Sequence, residues 1–186
     1  MKQIILIRHA KVDIDNAKKI DSLSLQKWVD EYDTASIVHE NMPSTETIAF
    51  AQKVDVVVSS TLRRAIDSAK ILGVEVDEQN KLFNEAIIPK VNIPYVKLKP
   101  KSWLVILRLM LLLGLGKKET SLKASKAQAK KAAIRLEELS QGYDDVLLVG
   151  HAGMNWMIGK ELGKEGWVLD TKTGHGNWGM SLFTKS

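Results

Sequence analysis

The sequence predicts a mainly parallel α/β domain, and three observations carry that prediction. Short β-branched and aliphatic runs at Ile4–Ile7, Val54–Val58 and Val146–Val149 read as buried strands. Helical patterns separate these runs, so strands alternate with helices as in a parallel sheet. The chain's 186 residues, 45% hydrophobic and 26% charged, suit a single domain with a full core over residues 1–186.

Taken in order, Lys2–Ile7 is the first strand and Ala10–Asp21 a polar loop. Ser22–Asp33 places Leu23, Leu25, Trp28, Val29 and Tyr32 in a partly helical pattern behind a serine cap. Pro43-Ser44-Thr45-Glu46 reads as the start of a helix running into Thr47–Gln52. Val54–Ser59 is a second strand, and Leu62–Leu72 a helix that stops at Gly73. Val74–Val76 reads as a short strand. Pro89, Pro94 and Pro100 make Ile87–Pro100 a loop. Trp103–Leu113 is aliphatic apart from Arg108 and ends at Gly114-Leu115-Gly116. Glu119–Leu139 is a long helix, Val146–Val149 a strand, Met154–Leu162 a helix and Trp178–Phe183 a last strand. The gap between Val76 and Val146 calls for a helical insertion, at about 91–118.

Composition excludes several chemistries. With no cysteine there is no disulfide, catalytic thiolate or thiolate-bound zinc. The apolar run after Met1-Lys2-Gln3 is too short for a signal peptide and ends in Arg8-His9 instead of a cleavage site, so a cytoplasmic location is expected. The net charge of +5 is local. From Lys97 to Ala132, ten Lys or Arg stand against Glu119 alone, a segment of +9 that leaves −4 for the rest. That distribution argues against nucleic acid as partner.

The chemistry sits at strand ends. Two of the four histidines each close an apolar run and precede small residues: Arg8-His9-Ala10, and Gly150-His151-Ala152-Gly153. Ligands of open α/β sheets bind outside the carboxyl ends of strands, where two such imidazoles can meet. Between them, Ser59-Ser60-Thr61-Leu62-Arg63-Arg64-Ala65 carries a strand through hydroxyl residues into a helix start. Free amides and a positive dipole there suit an anion, and an arginine adds a bidentate grip.

At these motifs the sequence resembles the histidine phosphatase superfamily, which includes the cofactor-dependent phosphoglycerate mutases. Members open with a strand ending Arg-His-Gly, continue with a Ser-Ser/Pro-x-x-Arg-Ala-x-x-Thr-Ala helix and close with a strand ending His-Gly. Here these are Arg8-His9-Ala10, Ser59 through Ala69, and Gly150-His151-Ala152. The resemblance covers nearly the whole chain, least at Lys97–Lys118, and implies a three-layer α/β/α sandwich of phosphoglycerate mutase-like fold. It also implies a metal-independent phosphatase with no cofactor, a phosphoric monoester hydrolase of histidine acid phosphatase type acting on a small phosphorylated substrate or a phosphoprotein. His9 would form a phosphohistidine, Arg8, Arg64 and His151 would hold the phosphoryl oxygens, and Glu85 in Leu82-Phe83-Asn84-Glu85 would protonate the leaving group. Register assigns the arginine before alanine, Arg64, to the site and leaves Arg63 at the rim. Ala152, Asn177 and His175 fall at substrate-binding positions.

Other readings stay open. A phosphomutase would pass the phosphoryl group to a second hydroxyl, although the stretch after Ala10 lacks the mutase pattern. Ala10 and Ala152 replace the family's glycines, and each adds a methyl near the phosphate, as an inactive phosphate-binding scaffold would tolerate. Glu85 also reads as a solvated loop carboxylate, His175 as an exposed loop histidine, and His39 as a surface residue. The basic-flanked segment 97–118 reads as a cap helix over the site, as a membrane-surface helix, or as a homodimer contact.

Overall fold

Ile4, Ile5, Leu6 and Ile7 are buried on both sides, which fixes their strand, β1 (Lys2–Arg8), at the centre of the sheet. The computed structural model describes residues 1–89, 91–93, 95–115 and 121–186. After β1 come α1 (Ser24–Thr34), α2 (Thr45–Ala51), β2 (Val56–Ser59) and α3 (Arg63–Leu72). Then follow β3 (Glu78–Gln79), a short 3₁₀ turn at Lys81–Phe83, α4 (Pro100–Leu112) and α5 (Leu122–Gly142). The chain closes with β4 (Asp145–Gly150), α6 (Ala152–Lys164), β5 (Val168–Lys172) and β6 (Met180–Lys185).

The six strands lie in the order β3-β2-β4-β1-β6-β5. β1, β2, β3 and β4 pair in parallel, and β6 runs against both β1 and β5. Strand alternation sends one set of side chains to each face. Ile4, Leu6, Val146 and Leu148 meet Ala129, Ala132, Leu136, Met154 and Ile158 from α5 and α6. Ile5, Ile7, Leu147 and Val149 meet Ala51, Ala65, Ala69 and Leu72 from α2 and α3. The result is the three-layer α/β/α sandwich. Over it, α1 and α4 share a smaller core of Leu25, Trp28, Trp103 and Leu107. Trp103 Nε1 donates to the Ile20 carbonyl at 2.8 Å, and Ile20 bridges Leu98, fixing α4 as a cap.

Local signals explain most boundaries. Ser44 caps α2 by accepting the Thr47 amide, and Gly73 ends α3 in the left-handed conformation at φ 74°. Three expectations need correction, and one strand was not expected at all. α1 begins at Ser24, whose amide donates to Asp21 at 2.7 Å, while the Ser22 hydroxyl binds the Ile93 backbone. The run Val74–Val76 packs against the core without pairing. The ladder resumes at Glu78, after the Asp77 carboxylate accepts the Val57 amide. Trp178 has φ 63°, so the last strand starts only at Met180. β5 went unseen because an exposed edge strand has no buried face to mark it. The predicted start of the long helix at Glu119 lies outside the described residues, as do Lys117 and Lys118; Ser121 caps α5 by accepting the Ala124 amide.

Candidate active site

Parallel register brings the two histidines together. Arg8 pairs with Gly150 across β1 and β4, so the next residues, His9 and His151, emerge side by side at the carboxyl ends. Their ring centroids stand 5.1 Å apart. Both rings are almost wholly removed from solvent, His9 at 4% exposure and His151 at 0%. Asn155 on α6 clamps the two strand ends, its amide donating to the Ile7 carbonyl while its oxygen accepts the His151 amide.

Hydrogen bonds set the His9 ring. Its Nδ1 lies 2.6 Å from the Ala10 carbonyl, which can only accept, so Nδ1 carries the hydrogen and Nε2 holds the lone pair. Burial, with Arg64 and Arg8 beside it, pushes the His9 pKa down to about 3. The pKa of His151 also lies well below the ordinary histidine value, chiefly through burial and then through Arg64 and His9. Its Nε2 shares a 2.7 Å hydrogen bond with the Ser60 hydroxyl, which also accepts the Leu62 amide. Both rings are therefore neutral at pH 7.

Cations surround this pair. Arg64 enters from the first turn of α3, only 3% exposed, and donates from Nη1 to Asp33 at 2.7 Å while lying 4.7 Å over the Tyr32 ring. Arg63, the neighbour, points outward to Asp67 and the Thr34 carbonyl. Arg8 donates from Nη1 to the His175 carbonyl at 2.9 Å, and burial lowers its pKa. Among the described residues, the buried side-chain atoms without a partner are Arg8 Nε, Arg64 Nε, His151 Nδ1 and Asn16 Oδ1. Three of the four belong to this one site. A buried polar group left unpaired costs about 1–3 kcal/mol, so the fold holds this cluster at a cost that an acceptor-rich ligand would relieve.

Glu85 is not a solvated loop carboxylate. Its Oε1 accepts the Met154 amide at 3.0 Å and its Oε2 the Gly153 amide at 3.4 Å, so it caps α6 from outside the helix. A Cβ at position 153 would come within 2.8 Å of Oε1, which explains the glycine there. Arg108, the one charge within the apolar run Trp103–Leu113, reaches Glu85 at 3.5 Å. Arg8, His9, Arg64, Glu85 and Arg108 line one cavity of about 250 Å³, with Trp28, Tyr32 and Asp33 from α1.

The remaining sequence candidates fall elsewhere. The Asn177 amide donates to the His9 carbonyl at 2.9 Å, a positioning contact. His175 is exposed and borders a separate cavity of about 370 Å³, also lined by Arg8, while its carbonyl accepts from Arg8 Nη1. Ala152 is the first residue of α6 and borders that same second cavity. Ala10 is fully buried, its methyl packed in the core with Ile7, Ala65 and Ala69 while its amide donates to Ser68 at 2.8 Å. Its extra methyl therefore points into the core. Asp33, Tyr32, Ser60, Asn155 and Arg108 were not foreseen as site residues. Of these, Arg108 left a trace in the sequence as a charge breaking an apolar run, and Ser60 as part of the hydroxyl stretch before α3. Among the described residues, no three His, Asp or Glu side chains are grouped to hold a metal ion.

No family model matches the chain, and no curated protein matches it in sequence. Solved structures do match in shape. Phosphoserine phosphatase from Entamoeba histolytica, in complex with 3-phosphoglyceric acid, superposes with a TM-score of 0.60 at 16% identity, covering 99% of this chain and 91% of its own. The mycobacterial glucosyl-3-phosphoglycerate phosphatase in its VO3 complex gives 0.60 at 17% identity, covering 98% and 92%. A putative alpha-ribazole-5'-P phosphatase from Escherichia coli gives 0.57 at 13%, covering 98% and 90%. The mixed six-stranded sheet, its flanking helices and these neighbours together identify a phosphoglycerate mutase-like fold.

Proposed function

We propose that this chain is a metal-independent phosphatase that hydrolyses phosphate monoesters through a phosphohistidine on His9. The observation that carries this reading is the set of unpaired buried polar atoms, Arg8 Nε, Arg64 Nε and His151 Nδ1, gathered around a neutral histidine. Oxyanion donors fixed before the reaction stabilise the charge that develops on a transferring phosphoryl group. A hydroxyl or amine substrate would not satisfy them.

In the first step the His9 Nε2 lone pair attacks phosphorus, the P–O bond to the leaving group breaks, and Glu85 delivers a proton to the departing oxygen. Arg8, Arg64 and His151 hold the three equatorial oxygens. In the second step water attacks phosphorus, loses its proton to Glu85 and displaces His9, releasing inorganic phosphate and restoring the neutral ring. The positive charge that a metal supplies elsewhere comes here from the two arginines, with Arg108 at the cavity wall. The three fold neighbours named above are phosphatases by name, which supports water as the acceptor in preference to a second hydroxyl.

Release of phosphate from p-nitrophenyl phosphate tests the reading. His9→Ala is expected to lower kcat by roughly 10³-fold or more, and wild type should yield an acid-labile phosphoenzyme that the variant lacks. Turnover that survives in His9→Ala, or wild-type phosphate binding without turnover, refutes it.

A further inference from the structure

The cap helix has two apolar faces, and among the described residues only one of them is covered. Trp103, Leu107 and Leu111 pack inward. On the other side Lys101, Val105, Leu109 and Leu113 follow one another at four-residue spacing, which puts them on one stripe. Val105 is 55%, Leu109 54% and Leu113 74% exposed, and Leu115 continues the bare surface. Lys97, Lys99 and Lys101 stand exposed at the N-terminal end of the stripe, near the fully exposed Tyr95. Residues 100–115 contain no aspartate or glutamate. The stripe also runs into the candidate site. Lys101, Val105 and Arg108 line a cavity of about 320 Å³ whose other walls include Arg8 and Asn177.

We infer that the outer face of α4 docks on an anionic lipid surface, with Val105, Leu109 and Leu113 at the boundary between headgroups and acyl chains. Charge decides the occupant. A second copy packed by two-fold symmetry would set this acid-free, lysine-flanked face against its own likeness, with no carboxylate from residues 100–115 to answer the cations. Lipid phosphates do answer them, and an exposed tyrosine suits the interfacial layer. No described helix is long and apolar enough to cross a membrane, so the 13 residues of α4 would lie in the plane of the interface. Docked this way, the cavity bordered by Val105 opens toward the lipid.

Sedimentation of the full chain with phosphatidylcholine vesicles, with and without phosphatidylglycerol, tests the inference. Binding is expected only where phosphatidylglycerol is present, and it should weaken as salt is raised. Lys97→Gln and Lys99→Gln should each cost about five-fold in partitioning. The double variant Leu109→Glu, Leu113→Glu should lose at least about ten-fold. None of these residues touches the catalytic cavity, so hydrolysis of p-nitrophenyl phosphate should be unchanged and attests folding. His9→Ala should sediment like wild type, which keeps this result independent of the proposed chemistry. The inference is overturned if wild type stays in the supernatant, if the leucine variant sediments like wild type, or if the chain is a dimer in solution that the leucine variant dissociates.

Discussion

Burying His9 as a neutral ring should make the fold sensitive to acid in a defined window. The unfolded chain protonates this histidine near the ordinary value of about 6.5, whereas the folded chain holds it down to about 3. Above pH 6.5 both states keep the ring neutral and stability is at its full value. Below it the unfolded state binds a proton that the folded state refuses, so stability falls as pH drops toward about 3 and then levels off. At pH 5 the gap of 1.5 pH units corresponds to about 2 kcal/mol, at about 1.4 kcal/mol per unit. His151 pushes in the same direction through burial and the same arginines, so the histidine pair sets at least this loss. Against a total stability of about 0.05–0.15 kcal/mol per residue, 2 kcal/mol is readily measured. Urea unfolding followed by tryptophan fluorescence, at pH 7.5 and pH 5 in phosphate-free buffer, reads it directly. Trp28, Trp103, Trp167 and Trp178 are buried and report both the sandwich and the cap. His9→Gln should shrink the pH-dependent loss by about 2 kcal/mol. Equal losses in wild type and His9→Gln would refute the reasoning.

Two further outcomes follow from the site. Ala10→Gly restores the residue usual beside the nucleophile, yet it removes a methyl packed in the core, so stability should drop by about 1 kcal/mol in urea unfolding while kcat stays within about two-fold. A large gain in kcat would show instead that the methyl obstructs phosphate. Asp33→Asn should tighten vanadate binding by about five-fold in calorimetry, because Asp33 now occupies the Arg64 Nη1 that an anion would use and repels that anion besides. Weaker binding would mean that Asp33 is needed to hold Arg64 in place.

Part of the fold was legible because burial leaves a pattern. Ile4–Ile7 and Val146–Val149 are covered on both faces and appear as unbroken apolar runs. Gly73 and Ser44 mark helix ends through backbone chemistry that needs no tertiary context. β5 and Asp21 left no such trace. An exposed edge strand and a capping carboxylate look like any polar loop until their partners are known.

By itself, the sequence determined the strand-end placement of His9 and His151 and the apolar, lysine-flanked character of the cap. These rest on local order, where strand, turn and helix start follow one another along the chain. The tertiary structure alone decided what stands around them. It set Asp33 against Arg64, Arg108 near Glu85, and Glu85 at the start of α6; it also turned the Ala10 methyl into the core and set His175 beside a separate cavity. Each is a contact between elements distant in sequence, and its direction depends on how α1, α3, α4 and α6 pack. Residue types and spacing carry no record of that.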